Sequence, residues 1–174
     1  MKKRIFVTAD LHFGHENIIK YCNRPFKNVR AMDRQLIRNW NDDVNQEDSV
    51  YVVGDFIYKS PRNWREYAEE LNGTKFFIIG NHDDLAGSAA RSQREMWLWG
   101  KKFLLIHSPY DIPPHRSCWV IHGHTHGNSP ELFPFISHEN KTVNVSVELT
   151  NYRPVDMTVI TSLIRNGSVR NDKR

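Results

Sequence analysis

A chain of 174 residues with 39% apolar residues and no apolar run near the ~20 residues of a bilayer span argues for one globular domain and against a membrane protein. Its two cysteines, Cys22 and Cys118, are far apart and in no metal-binding spacing, which argues against a disulfide framework and a thiolate zinc site. The net charge of +4 is modest and no stripe of basic and aromatic residues is present, so nucleic acid is the minority reading, and an anionic substrate fits the charge without being implied by it.

Basic residues at the start precede an apolar run at 5–9 that Asp10 interrupts, too short for a signal-peptide core. A strand start is the better reading, and a cytoplasmic location is expected. Several such apolar, β-branched runs end abruptly in polar residues. Residues 4–9 lead into Asp10, 49–53 into Gly54-Asp55, and 76–79 into Gly80-Asn81-His82-Asp83. Further on, 103–106 lead into His107 and 119–121 into His122-Gly123-His124. Continuous runs of this length predict strands buried on both faces.

Between the first two strands, Met32, Leu36, Trp40 and Val44 recur every four residues and predict an amphipathic helix. Pro61 is expected to open a second helix through Trp64, Tyr67 and Leu71, with Gly73 just past its end. Pro154 is expected to open a last helix through Met157, Ile160 and Ile164, stopped by Asn166-Gly167. The pattern predicts an α/β fold in one domain over residues 1–168, with 169–174 a flexible basic tail.

Nine histidines make the chain histidine-rich, and their placement is informative. Ligands of open α/β sheets bind beyond the carboxyl ends of the strands, where this chain delivers Asp, Asp, Asn-His, His and His. Each signal alone has an ordinary explanation. An Asp after a strand often caps a turn, and a His at a strand end is often a core residue. Asp10 and His12 share a side if the segment stays extended. Gly80 frees the backbone to turn before three polar residues, and Gly123-His124-Thr125-His126 presents two imidazoles two residues apart.

Taken in order, Asp10/His12, Gly54-Asp55, Gly80-Asn81-His82-Asp83, His107 and Gly123-His124-Thr125-His126 resemble the motifs of the calcineurin-like metallophosphoesterase family. The resemblance spans residues 10–126 and implies a four-layer αββα sandwich, two β-sheets flanked by α-helices. It implies Asp10, His12 and His126 as ligands of one metal ion, Asn81, His107 and His124 as ligands of a second, and Asp55 as the carboxylate bridging both. Mixed nitrogen and oxygen donors suit two divalent transition-metal ions, with Mn favoured and Fe, Co, Zn or Ni left open. The implied mechanism is attack by metal-bound hydroxide at phosphorus, with His82 as general acid. Asp83 is expected either to orient a neighbouring imidazole or to close the turn. His15 and Arg24 are expected as phosphate contacts, the latter because a guanidinium matches phosphate oxygens in a bidentate fashion. His122 is expected to be structural, and His115 and His138 exposed.

Protein phosphatases of that family extend G-D into G-D-x-x-D-R-G, whereas Asp55 is followed here by Phe56-Ile57-Tyr58-Lys59-Ser60. The chain also leaves little room for a cap domain. The resemblance is therefore to compact bacterial and archaeal phosphodiesterases, and it implies hydrolysis of a small or nucleotide-like phosphodiester. A phosphomonoesterase, a nuclease and a catalytically silent binding module are the alternatives. The complete set of inferred ligands counts against the last. No membrane partner is expected, and a homo-oligomer is left open.

Overall fold

A computed structural model describes the backbone of residues 3–171 and the side chains of 3–167. Two mixed β-sheets with flanking helices form an α/β fold. The chain runs β1 (Ile5–Thr8), α1 (Glu16–Tyr21), α2 (Val29–Asp43), β2 (Ser49–Val53), α3 (Trp64–Glu70) and β3 (Thr74–Ile78). It continues through β4 (Gln93–Leu98), β5 (Lys101–Ile106), β6 (Trp119–His122), β7 (Ile136–Ser137), β8 (Thr142–Asn144), β9 (Val155–Asp156) and α4 (Met157–Asn171).

The first sheet has the order β3-β2-β1-β9, with β1, β2 and β3 parallel and β9 antiparallel to β1. The second has the order β4-β5-β6-β8-β7, parallel through β5, β6 and β8, with antiparallel strands at both edges. Strand alternation assigns the core. Phe6, Val50 and Val52 face α2 and α3, packing on Leu36, Trp40 and Tyr67. Their neighbours Val7, Tyr51 and Val53 face the second sheet, meeting Phe103, Leu105 and Ile121. The far side of the second sheet, with Leu104, Ile106 and Val120, is covered by Ile112. The α4 residues Met157, Ile160 and Ile164 complete the cluster between the sheets.

Local chemistry sets the helix ends. The Asn28 side chain accepts the Ala31 N–H and caps α2, and Asn63 and Glu66 form a reciprocal capping box on α3. Pro61 therefore lies ahead of α3 rather than at its first position. Pro154 likewise precedes α4, because Val155 and Asp156 pair with β1 as β9 before the helix begins. Asn166-Gly167 do not stop α4, which continues to Asn171. Gly167 is not among the positive-φ glycines, and a Cβ there would collide with the His138 ring. Its role is close approach, not termination. Of the expected flexible tail 169–174, residues 169–171 belong to α4 instead, and 172–174 lie outside the described residues. Of the predicted strands, β3 is partly exposed rather than buried on both faces, since it forms the edge of its sheet. Among the described residues, no helix is long and apolar enough to cross a membrane.

Candidate metal centre

The parallel strands end on one side of the molecule, and the backbone there leaves the extended conformation at once. Asp10, His12, Asp55, His124 and His126 all have positive φ, between 51° and 73°. Side chains other than glycine rarely adopt that region, and such residues persist only where their surroundings over-determine them. Here the turns hold one another. The Asp10 N–H donates to Gly54 O at 3.0 Å, the His12 N–H to Asp55 O at 2.9 Å, and the Phe13 N–H to Phe56 O at 3.0 Å. Asp10 and His12 therefore meet through paired left-handed turns, not through the extended segment the sequence suggested. Two glycines make room: a Cβ on Gly54 would enter the His107 ring, and one on Gly80 the Asp55 carboxylate.

The expected ligands converge. Asp55 Oδ2 lies 3.3 Å from His12 Nε2 and 3.4 Å from His107 Nε2. Asn81 Oδ1 lies 3.1 Å from His107 Nε2 and 2.9 Å from His124 Nδ1. The His12 and His126 rings stack with centroids 5.3 Å apart. Donor atoms of Asp10, His12 and His126 lie within 4.8 Å of one another, as do those of Asp10, Asp55 and His107. Asp10 thus belongs to two adjacent groups, and Asp55 touches a histidine of each.

The electrostatics fit divalent cations. Asp10 is fully buried, and burial pushes its carboxyl up to about 6. Only nearby positive charge keeps such a group ionised at lower pH. Asp55 is held well below the usual carboxylate range, against its burial, by the imidazoles of His107 and His12. Burial drives His12 down to about 4, whereas His107, against its burial, is raised to about 9 by Asp55 and Asp10, so that a protonated imidazole does the neutralising that a cation would do there. His12 Nδ1 is buried without a hydrogen-bond partner, and Nε2 faces only Asp55 Oδ2 at 3.3 Å. Orphaned polar atoms of this kind are rare in folded proteins. The residues present fit a centre for divalent metal ions.

Other expected residues stand around this cluster. His82 donates its N–H to Asp55 Oδ1 at 3.0 Å, and its half-buried ring lies 5.5 Å from His12 and 4.4 Å from Tyr58. His15 is buried, with its ring 5.4 Å from His12 and 4.8 Å from Tyr58. Asp83 closes the turn and touches no imidazole. Its carboxylate accepts the N–H groups of Asp55 (2.9 Å), Phe56 (2.6 Å), Ile57 (3.2 Å) and Gly80 (2.9 Å). Burial nevertheless pushes this carboxyl up.

Arg24 does not face a substrate. Its side chain is fully buried, with Nη2 donating to Asp10 O at 2.7 Å and Nη1 to Leu11 O at 3.0 Å. It also pairs with Glu148, so the guanidinium fixes the ligand turn from behind and has nothing left for a phosphate. His122 is buried as expected, its Nδ1 beside Gly123 O at 3.0 Å. His115 is exposed, whereas His138 is half-buried against Trp119, because α4 passes over it.

Glu148 escaped the sequence reading. Its Oε1 lies 3.0 Å from His126 Nδ1 and accepts from Arg24 Nε and Nη2 at 2.9 and 2.7 Å. Burial would lower His126, but the contacts with Cys22 and Glu148 raise it to about 11. Cys22, His126 and Glu148 also bring donor atoms within 4.8 Å, although Arg24 already neutralises the carboxylate. The one signal for Glu148 is a lone acid in the otherwise uncharged stretch 142–152.

A family model described as calcineurin-like phosphoesterase matches residues 3–126. An uncharacterised protein of Methanocaldococcus jannaschii is 44% identical over 172 residues, covering 96% of this chain and 94% of that one. The Gene 66 protein of Mycobacterium phage L5 is 30% identical over 79 residues, 44% of this chain and 38% of that protein. A protein of unknown function from Aquifex aeolicus superposes with a TM-score of 0.71 at 25% identity, covering 94% of this chain and all (100%) of its own. With residues 3–126 of its 174 matched by the family model, this chain belongs to the calcineurin-like phosphoesterases.

Proposed function

We propose that the protein is a dinuclear metal-dependent phosphodiesterase acting on a small or nucleotide-like phosphodiester. The observation that carries this reading is the position of Asp55 Oδ2, 3.3 Å from His12 and 3.4 Å from His107, between two donor groups that share Asp10. Asp10, His12 and His126 would hold one ion, Asn81, His107 and His124 the other, and Asp55 both. Mixed nitrogen and oxygen donors favour a first-row transition metal, with Mn the first choice and Fe, Co, Zn or Ni alternatives. Two such ions supply Lewis-acid stabilisation of the phosphoryl oxygens and an activated water.

The chain's own residues do the rest. His82 gives its proton to the leaving oxygen as the P–O bond breaks, a contribution of ~10²–10⁴-fold. Asp83 fixes the turn that carries His82 against the loop that carries Asp55. Glu148 accepts from His126 Nδ1, which leaves Nε2 free to ligate. A diester is favoured over a monoester because the cluster is flanked on two sides. A groove of about 540 Å³ opens beside His82, and a pocket of about 220 Å³ lies beside His124 under Tyr110 and Phe133. A diester has two arms to place, whereas a monoester has one.

The test compares bis-p-nitrophenyl phosphate with p-nitrophenyl phosphate, using metal-stripped protein reloaded with Mn²⁺. Metal-dependent turnover that prefers the diester is expected. Equal or faster monoester turnover would replace the diesterase assignment with a phosphatase. No turnover with two ions bound would remove the catalytic reading altogether.

A further inference from the structure

The two spaces beside the cluster differ in charge, and the difference has a direction. The larger groove begins at His82 and runs along the loop after Asp55 to the start of α3, past Tyr58, Lys59, Arg62, Trp64 and Arg65. Asp84 is the one acid on its wall. Arg62 is already occupied by Glu66 and Glu70. Lys59 and Arg65 have no carboxylate within 4.0 Å among the described residues. The smaller pocket beside His124 is lined by Tyr110, Thr125, Asn128, Ser129 and Phe133, with no Lys, Arg, Asp or Glu.

The cations of the groove are held in place. Lys59 sits at φ 47°, a strained conformation for a lysine, and its ammonium stands 5.1 Å over the Tyr58 ring. The loop below it is pinned by the Tyr58 N–H to Phe13 O at 3.4 Å and by Ser60 Oγ, 3.2 Å from the Tyr67 hydroxyl. The Arg65 guanidinium lies 4.6 Å over the Trp64 ring, and its Nη2 donates to Ala86 O at 3.3 Å and to Gly87 O at 3.5 Å, leaving Nε and Nη1 to point at a ligand. Two unneutralised cations, each beside an aromatic wall, are the chemistry that receives a flat ring with a phosphate attached. A groove of about 540 Å³ falls within the ~300–1,000 Å³ range of small-ligand sites.

We propose that this groove is the leaving-arm subsite and that the arm it receives is a nucleotide, with its base against Tyr58 and Trp64 and a second phosphate between Lys59 and Arg65. The proposal rests on the phosphodiesterase reading above and on His82 as the acid, because a general acid must lie on the side from which the alcohol departs. The arm retained on phosphorus then occupies the small neutral pocket. The substrate is therefore polar in a defined sense: its departing half carries the extra charge and its retained half does not.

Two measurements on the full chain decide this. The first compares kcat/KM, with Mn²⁺-loaded protein, for the thymidine dinucleotide TpT and for its forms phosphorylated at the 5′ end or at the 3′ end, with chromatography identifying the half released as the alcohol. A terminal phosphate on that half is expected to raise kcat/KM at least tenfold, and a phosphate on the other half to do nothing comparable. In Lys59→Gln and Arg65→Gln, the ratio of phosphorylated to unphosphorylated substrate should fall toward one. The second measurement titrates metal-stripped protein calorimetrically with thymidine and with its 5′- or 3′-monophosphate, whichever matches the half released in the first. The nucleotide should bind at least tenfold tighter, and the double variant should abolish the difference. A wild-type ratio near one at both ends, or a preference that survives the double variant, overturns the groove assignment. If bis-p-nitrophenyl phosphate is not hydrolysed, the diesterase reading fails separately, and the calorimetric comparison still decides whether the groove takes a nucleotide.

Discussion

Glu148 Oε1 receives Nε and Nη2 of Arg24 and faces Nδ1 of His126, while Arg24 also holds the carbonyls of Asp10 and Leu11. Replacing Glu148 by Gln should therefore act on an imidazole it does not itself share with any ion. Loss of such a partner typically costs ~10–100-fold in metal affinity, and Mn²⁺ titration of the metal-stripped variant would read it directly. Glu148 is depressed from 4.5 to about 2, against its burial, by His126 and Arg24. An acid with a lowered folded pKa contributes stability above its unfolded value and loses it as pH falls through the folded one. The wild type should lose this contribution between about 4.5 and about 2, and the Gln variant should show a shallower acid limb. Removing Arg24 is a harsher change, since it strands a buried carboxylate; Arg24→Ala should cost about 3–5 kcal/mol in urea unfolding. A phosphate clamp would instead have raised KM and left stability alone. This difference is not legible in the sequence, because an arginine before proline looks the same whether its guanidinium turns outward or in.

At the level of turns and strands, what was legible followed from apolar continuity. The five strands that carry the proposed ligands were readable because each is an unbroken run ending in a polar residue, and α2 because of its four-residue spacing. The short partners β7 and β9, of two residues each, have no pattern of their own and exist only through pairing. The helices start a few residues past Pro61 and Pro154, because the Asn63 cap sets the start of α3 and the pairing of β9 delays α4. The left-handed backbone of the ligand turns was not legible either, since only tertiary hydrogen bonds compel Asp and His into it. Asp83 supplies several of those bonds. Asp83→Asn turns an amide N–H₂ toward two backbone N–H donors that a carboxylate oxygen now satisfies. At about 1.5–3 kcal/mol for each charge-assisted bond, a loss of roughly 3–6 kcal/mol is expected by chemical denaturation. Unchanged stability would mean that the turn is held by something else.

For the molecule as a whole, the two sheets divide the candidate site between them. Asp10, His12, Asp55 and Asn81 follow strands of the first sheet, and His107, His124 and His126 follow strands of the second. A ligand that binds only the folded state at about 100 times its Kd adds ~2.7 kcal/mol. For a domain of this size that corresponds to a Tm rise of about 5–10 °C. Calorimetric scans with Mn²⁺ and with a chelator would measure it, and equal Tm values would count against a built centre. The same division bears on how the protein comes apart. Ions held by donors from both halves would fasten one sheet to the other, independently of the apolar layer between them. With the fastening in place, calorimetric and van't Hoff enthalpies should agree, as for a single cooperative unit. Without it, the halves keep the apolar layer and a few hydrogen bonds, among them Ala9 N–H to Val145 O at 3.0 Å, and the van't Hoff enthalpy should fall below the calorimetric one as the unit loosens.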